Sequence, residues 1–223
     1  MKVRMIALVL ISCFGSLFES TAQEGFVSLD TILDQAILEP MYYSAENFVG
    51  DTIDGYHAAK ILLTTEAASA LSHVEARLNK QGLGLKVLDG YRPQIAVDHF
   101  LRWSIVAADT AQKGQFYPNT PKHLLFEKGY IAKQSGHSRG SAIDLTLVDL
   151  LTGKELDMGT TVDYFGSLSH TDSREITVDQ CKNRRILRNV MQKEGFAAIE
   201  TEWWHFYLKN EPFPDTYFTF PIR

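Results

Sequence analysis

The sequence of 223 residues predicts an α+β fold, a single domain with a central antiparallel sheet flanked by helices. Three observations carry that expectation. Apolar residues recur at helical spacing in stretches near residues 65–80, 93–107 and 179–194. Short strand-like runs, at 83–88, 142–148 and 197–208, lie between and after those stretches. A content of 45% hydrophobic and 11% aromatic residues is ample for one packed core, and no repeat, linker or low-complexity tract divides the chain further.

The first residues differ in kind from the rest. Lys2 and Arg4 precede an apolar run from Met5 to Phe18, and Ser20, Thr21 and Ala22 offer the small residues a signal peptidase needs. Residues 1–22 therefore read as a secretory signal, and residues 23–223 as an exported, periplasmic or otherwise extracytoplasmic domain. The run is short for a transmembrane helix. Leu10–Cys13 also resembles a lipoprotein processing box, but the apolar run continues past Cys13, which favours ordinary cleavage over a lipid anchor. Once Cys13 has left, Cys181 has no partner for an intramolecular disulfide. A formal net charge of −5 excludes the basic surface that nucleic acids or anionic membranes require.

Taken in order, Leu29, Ile32, Leu33 and Ile37 fall at near-helical spacing, then Pro40, Tyr42, Tyr43, Asn47 and Gly50 mark an aromatic loop. Thr64 or Thr65 can cap a helix through about Lys80, with Gly82 as its stop. Leu83 to Leu88 reads as a strand entering Asp89-Gly-Tyr-Arg92-Pro93. Pro93 suits the first turn of a helix whose Ala96, Phe100, Trp103 and Ala107 share a face. A loop from Gly114 to Pro121 and a helical turn at 123–128 follow, with His123 at the surface. Ala142 to Val148 reads as a strand. Asp179 can cap a helix to Glu194, with Ile186, Leu187, Val190 and Met191 inward and Arg184, Arg185 and Arg188 on its wet side. Ala197 to Leu208 reads as the last strand.

Four ligand-competent polar residues sit at the edges of apolar strands. In Ser135-Gly-His-Ser-Arg-Gly-Ser-Ala-Ile-Asp144, His137 and Asp144 offer one nitrogen and one oxygen; Glu202-Trp-Trp-His205 adds a second nitrogen. Three such ligands with an open position for water describe a catalytic zinc site, one ion per chain, and Glu202 is placed to act as its base. Glu202 and His205 are three apart, so in an ideal strand they face opposite ways; a bulge or a strand end is required if both serve one metal. Arg92, at a strand end just before a helix, projects where a cleft forms, although an arginine there can equally be solvated. Asp89 reads as its orienting partner or as a cap on the next helix. His170 lies in a polar loop and is left out of the metal set.

The runs SGHSRGSAIDLTL, EWWH and DGYRP, with the tail EPFPDTYFTFPI, resemble the VanX-type zinc D-alanyl-D-alanine dipeptidases, from about Phe26 to the C-terminus. The resemblance implies a zinc hydrolase acting on a small free dipeptide, with Arg92 stabilising developing negative charge. It also implies that Asp163 receives the substrate ammonium, with Ser135 beside it, and that Tyr42 or its neighbour forms a pocket wall; Asp89 is grouped with these substrate-side residues. On the residues alone, Asp163 could be the exposed side of an alternating strand and Tyr42 a buried aromatic. Three other readings stay open: a carboxypeptidase for longer D-alanyl-D-alanine chains, a broader dipeptidase, and a zinc-binding module without catalysis. Glu202 and Arg92 argue against the last, since a retired site needs neither. Oligomeric state is not legible.

Overall fold

The computed structural model describes residues 23–223, and the secretory-signal and lipid-anchor readings of residues 1–22 and Cys13 lie outside the described residues. An α+β domain results. Its strands are β1 (Phe26–Ser28), β2 (Ile37–Leu38), β3 (Leu62–Thr64), β4 (Leu83–Asp89), β5 (Ala142–Asp149), β6 (Phe196–Ala198) and β7 (His205–Leu208). Its helices are α1 (Thr65–Asn79), α2 (Gln94–Ser104), the single turn α3 (Lys113–Phe116) and α4 (Val178–Lys193). The main sheet runs β2-β4-β5-β7-β6, and β1 pairs with β3 in a separate ribbon. All neighbours in the main sheet are antiparallel except the edge pair β2–β4, which is parallel. The sheet is thus antiparallel at its centre, as expected, with one parallel pair at its edge, where β2 is only two residues long.

Local chemistry explains most boundaries. The Thr64 hydroxyl accepts from Ala67 N to cap α1, whose Ala67, Ala68, Leu71, Val74 and Leu78 are buried at i, i+3 and i+4 spacing against β4. Each large apolar side chain so buried contributes about 1.5–3 kcal/mol. β5 is the middle strand and is buried on both faces, so its sequence is apolar apart from Asp144, Thr146 and the half-buried Asp149 at its end. α4 packs on β6 and α1.

Several expectations are corrected. The near-helical spacing of Leu29, Ile32, Leu33 and Ile37 resolves into a single helical turn at Leu29–Thr31 between two short strands, because Phe26 to Ser28 pairs with β3 and Ile37 with β4. Pro93 precedes α2 instead of lying within it, and α2 stops at Ser104, short of Ala107. The loop from Gly114 contains the end of α3. Thr177, not Asp179, caps α4, through a reciprocal pair with Gln180. The final strand divides into the hairpin β6–β7, with residues 199–204 as its connection. Arg184 is buried, not on the wet side of α4.

The C-terminal tail closes the molecule. Phe213, Phe218 and Phe220 gather around Phe26, and Phe220 stacks on Tyr91 at 4.2 Å. Phe218 N donates to Ser138 O, His57 N to Ile222 O and Ile222 N to Gly55 O. Arg139 Nε donates to both oxygens of Glu211 at 3.0 and 2.9 Å.

Gly140 ends the turn that carries His137 at φ +82°, and a Cβ there would come within 2.2 Å of the Phe26 ring. Gly140→Ala is therefore expected to destabilise the domain by about 2 kcal/mol or more, since the left-handed backbone and the overpacking add. Chemical denaturation checks it: the midpoint falls, with the slope unchanged.

Candidate active site

The site is assembled by strand register. In β4 a register shift between Val87 and Asp89 brings Asp89 opposite Asp144 of β5, and Asp144 in turn lies opposite His205 of β7. Directly opposed residues share a face of the sheet, so three polar side chains stand in one row across three adjacent strands. His137 reaches the row from the helical turn Gly136–Arg139, capped by Ser135, whose Oγ accepts from His137 N at 3.3 Å. Glu202 precedes β7 and His205 is its first residue, so the strand end that their spacing demanded is present.

His137, Asp144 and His205 form a compact cluster, with ligand atoms all within 4.8 Å of one another. His137 Nδ1 lies 2.7 Å from Gly90 O; a carbonyl can only accept, so the proton sits on Nδ1 and the Nε2 lone pair faces the cluster. Nε2 is 3.1 Å from His205 Nδ1 and 3.2 Å from Asp144 Oδ2, and His205 Nδ1 is 3.1 Å from Asp144 Oδ1. Lone pairs and a carboxylate brought this close need a positive charge among them. Four-coordinate zinc with bonds of about 2.0–2.1 Å spaces its ligands about 3.3 Å apart, so the donor set and the spacing fit such an ion. The Nδ1–H···O=C bond of His137 is also what orients a ligating imidazole.

Around the cluster, Arg92 is held from below. Its Nε donates to Asp89 Oδ2 at 2.9 Å, while one terminal nitrogen lies 3.3 Å from Asp144 Oδ2 and 3.5 Å from the Tyr42 hydroxyl. Asp89 is 1% exposed and does not line the cavity. It gives α2 no side-chain cap and sits behind Arg92, placed to orient it, rather than on the wall of the cavity. The other Asp89 oxygen accepts from Tyr56 OH at 2.6 Å.

Asp163 is buried in a turn, not on an exposed strand, and is the only non-glycine residue at positive φ (61°) among those described. Tyr42 donates to Asp163 Oδ2 at 2.7 Å, and Tyr42 rather than the exposed Tyr43 faces the cavity. Glu202 Oε2 lies 3.9 Å from His205 Nδ1. Burial and the negative charge of Asp144 push both the Asp163 and the Glu202 carboxyl up to about 8. A divalent cation in the cluster would draw both back down. Arg92, His137, Asp144, Asp163, Glu202 and His205 line one cavity of about 160 Å³, with Ser135 and Tyr42 on its wall. That is below the roughly 300–1,000 Å³ of pockets for drug-sized ligands. Trp203 and Trp204 are buried outside it, as packing residues.

Sequence reasoning missed Tyr56, and it missed the far wall made by Tyr130 and Phe165, whose rings stack at 5.3 Å. A tyrosine in a turn carries no periodic signal, and only the tertiary structure brings Tyr56 to Asp89.

A small cavity floored by two imidazoles and a carboxylate, with a further carboxyl group beside them, defines a metallopeptidase-type hydrolase. Comparison with known proteins agrees. The family described as D-ala-D-ala dipeptidase matches residues 22–223, and this chain belongs to it. A D-alanyl-D-alanine dipeptidase of Streptomyces coelicolor is 44% identical over 197 residues, 88% of this chain and 98% of the relative. One of Enterococcus faecalis is 42% identical over 200 residues, 90% of this chain and 99% of the relative. One of Enterococcus faecium is 40% identical over 199 residues, 89% and 98%.

Tyr56→Phe would leave a buried Asp89 oxygen without its donor. The expected loss is about 1–3 kcal/mol of stability, read by urea unfolding.

Proposed function

We propose that this chain hydrolyses free D-alanyl-D-alanine to two D-alanines, with one zinc ion held by His137, Asp144 and His205. The observation that carries the reading is the small cavity in which a buried carboxylate, Asp163, shares its space with the ligand cluster and Glu202. Such a space suits a substrate with a free ammonium close to its scissile bond and leaves little room for a longer chain.

When bound, zinc supplies Lewis-acid polarisation of a carbonyl and acidifies water. The protein's own groups do the rest. Glu202 accepts a proton from the attacking water at a carboxylate oxygen and delivers it to the leaving amine nitrogen. Arg92, oriented by Asp89 and Tyr56, directs its charge towards the carbonyl oxygen on which negative charge develops. Asp163 receives the substrate ammonium, and the Tyr42 hydroxyl keeps that carboxylate turned into the cavity. Ser135 Oγ accepts from the His137 amide and so fixes the turn that presents His137, while its O–H, on the cavity wall, remains free to donate to the substrate. Residues 1–22 act as an export signal in this reading, so the domain would meet its dipeptide outside the cytoplasm, with D-alanine salvage the role that fits.

The test is D-alanine release by the zinc-loaded protein lacking residues 1–22. Free D-alanyl-D-alanine should be cleaved, and N-acetyl-D-alanyl-D-alanine and L-alanyl-L-alanine only far more slowly. Glu202→Ala is expected to lose about 100-fold or more of kcat, and Arg92→Ala about 100- to 1000-fold. Equal cleavage of the acetylated substrate would replace the reading with a carboxypeptidase; no cleavage by folded, zinc-containing protein would leave a binding module.

Metal removal gives a separate prediction. A chelator should abolish turnover and zinc should restore it. His137→Ala should no longer bind zinc stoichiometrically in a calorimetric titration, because two remaining ligands bind it poorly.

A further inference from the structure

Arg184 lies on α4, one helix away from the cavity. Sequence pattern groups it with Arg185 and Arg188 on a solvated face, yet it is 3% exposed. Its guanidinium has no carboxylate within ion-pair distance among the described residues. Instead Nε donates to Met158 O at 2.7 Å, Nη2 to Leu168 O at 2.9 Å and Nη1 to His170 O at 2.8 Å. Its carbon lies 5.6 Å from the centre of the Trp203 ring. Burying a cation against main-chain carbonyls alone is unfavourable unless several good hydrogen bonds and an aromatic face replace water, and here they do. Burial brings the group down to about 10, which leaves it charged at neutral pH.

What those carbonyls belong to matters. Met158 on one side and Leu168 and His170 on the other are the two ends of the segment that carries Asp163 at its left-handed φ of 61°. The same segment is knitted to the turn that carries Glu202. Trp203 N donates to Ser169 O, Trp203 Nε1 to Thr160 Oγ1 at 2.8 Å, and Ser169 Oγ to Thr201 O at 3.1 Å. Arg184 stands at this junction, bonded to both ends of one segment and packed on the aromatic neighbour of Glu202.

We infer that Arg184 is a positioning residue for the reaction: by holding both ends of residues 158–170 and the Trp203 ring, it fixes where Asp163 and Glu202 enter the cavity, and so sets the preference for a substrate with a free amino terminus. The inference rests on the dipeptidase reading above. It requires planar, forked donation in three directions, which an ammonium on a flexible stem does not reproduce. A displacement of about 1 Å at a reacting group can cost on the order of 100-fold in rate.

The experiment compares the zinc-loaded protein with Arg184→Lys and Arg184→Met, and with Arg185→Met as a control on the exposed side of the same helix. Three quantities are read: kcat and KM on D-alanyl-D-alanine, the ratio of kcat/KM for that substrate over its N-acetylated form, and amide hydrogen exchange of residues 158–171. In the Arg184 variants kcat/KM on the free dipeptide should fall by about 10- to 100-fold. The fall should include a higher KM and a shrunken free-to-acetylated ratio, with exchange accelerated in residues 158–171 while β4 and β5 stay protected. Arg185→Met should match the parent protein. If Arg184→Met does not fold, Arg184→Lys, which keeps the charge, carries the same comparison. An unchanged ratio in a folded Arg184 variant, or equal losses on both substrates in step with the folded fraction, would overturn the inference. Absence of any preference in the parent protein would instead overturn the dipeptidase reading, a result distinguishable because it appears before any substitution is made.

Discussion

The structure depends on one row of side chains. Asp89, Asp144 and His205 face one another across β4, β5 and β7, and two of the three are carboxylates opposed on neighbouring strands. Like charges in that relation repel, and here both are nearly free of solvent. Positive charge has to be brought in, and the fold supplies part of it in Arg92, which bridges Asp89 and Asp144 from the loop after β4. The two imidazoles close on Asp144 from the other side and offer lone pairs rather than charge. A cation in the cluster would complete the balance. The register shift that creates the row is thus an electrostatic commitment as much as a geometric one.

From that row outward the arrangement grades from polar to apolar. Tyr56 supports Asp89, Tyr42 supports Asp163, and the rings of Phe48, Phe100 and Phe165 pack in sequence behind them. Each hydroxyl is the polar tip of an otherwise buried aromatic, so the support of the site and the packing of the core are the same residues. Little water can enter such surroundings, and charges there act on one another with less screening than at a surface.

Much of this was legible in the sequence, and the reason is local. The ends of α1, the course of β4 and β5 and the glycine after His137 follow from capping residues, alternation and turn chemistry within a few positions of one another. The ligand-competent residues were legible because Asp144 and His205 interrupt apolar runs and His137 stands in the polar, glycine-bearing turn that leads into one. The rest depended on partners far away in the chain. Arg184 follows the same i, i+1, i+4 pattern as its solvated neighbours, and only carbonyls from residues 158, 168 and 170 reveal that its side chain turns inward. Asp163 sits between Val162 and Tyr164 as a strand residue would, and its left-handed backbone has no one-dimensional signature. The parallel pairing of β2 was hidden because two residues cannot express a period.

The C-terminal tail has a consequence for how the two halves of the site are coupled. The turn bearing His137 receives a main-chain bond from Phe218, and the loop bearing Tyr56 is bonded on both sides by Ile222. One short strap therefore braces both an imidazole of the cluster and, through Tyr56 and Asp89, the guanidinium of Arg92. None of its residues lines the cavity, so a disturbance there would reach the chemistry only by moving both supports together.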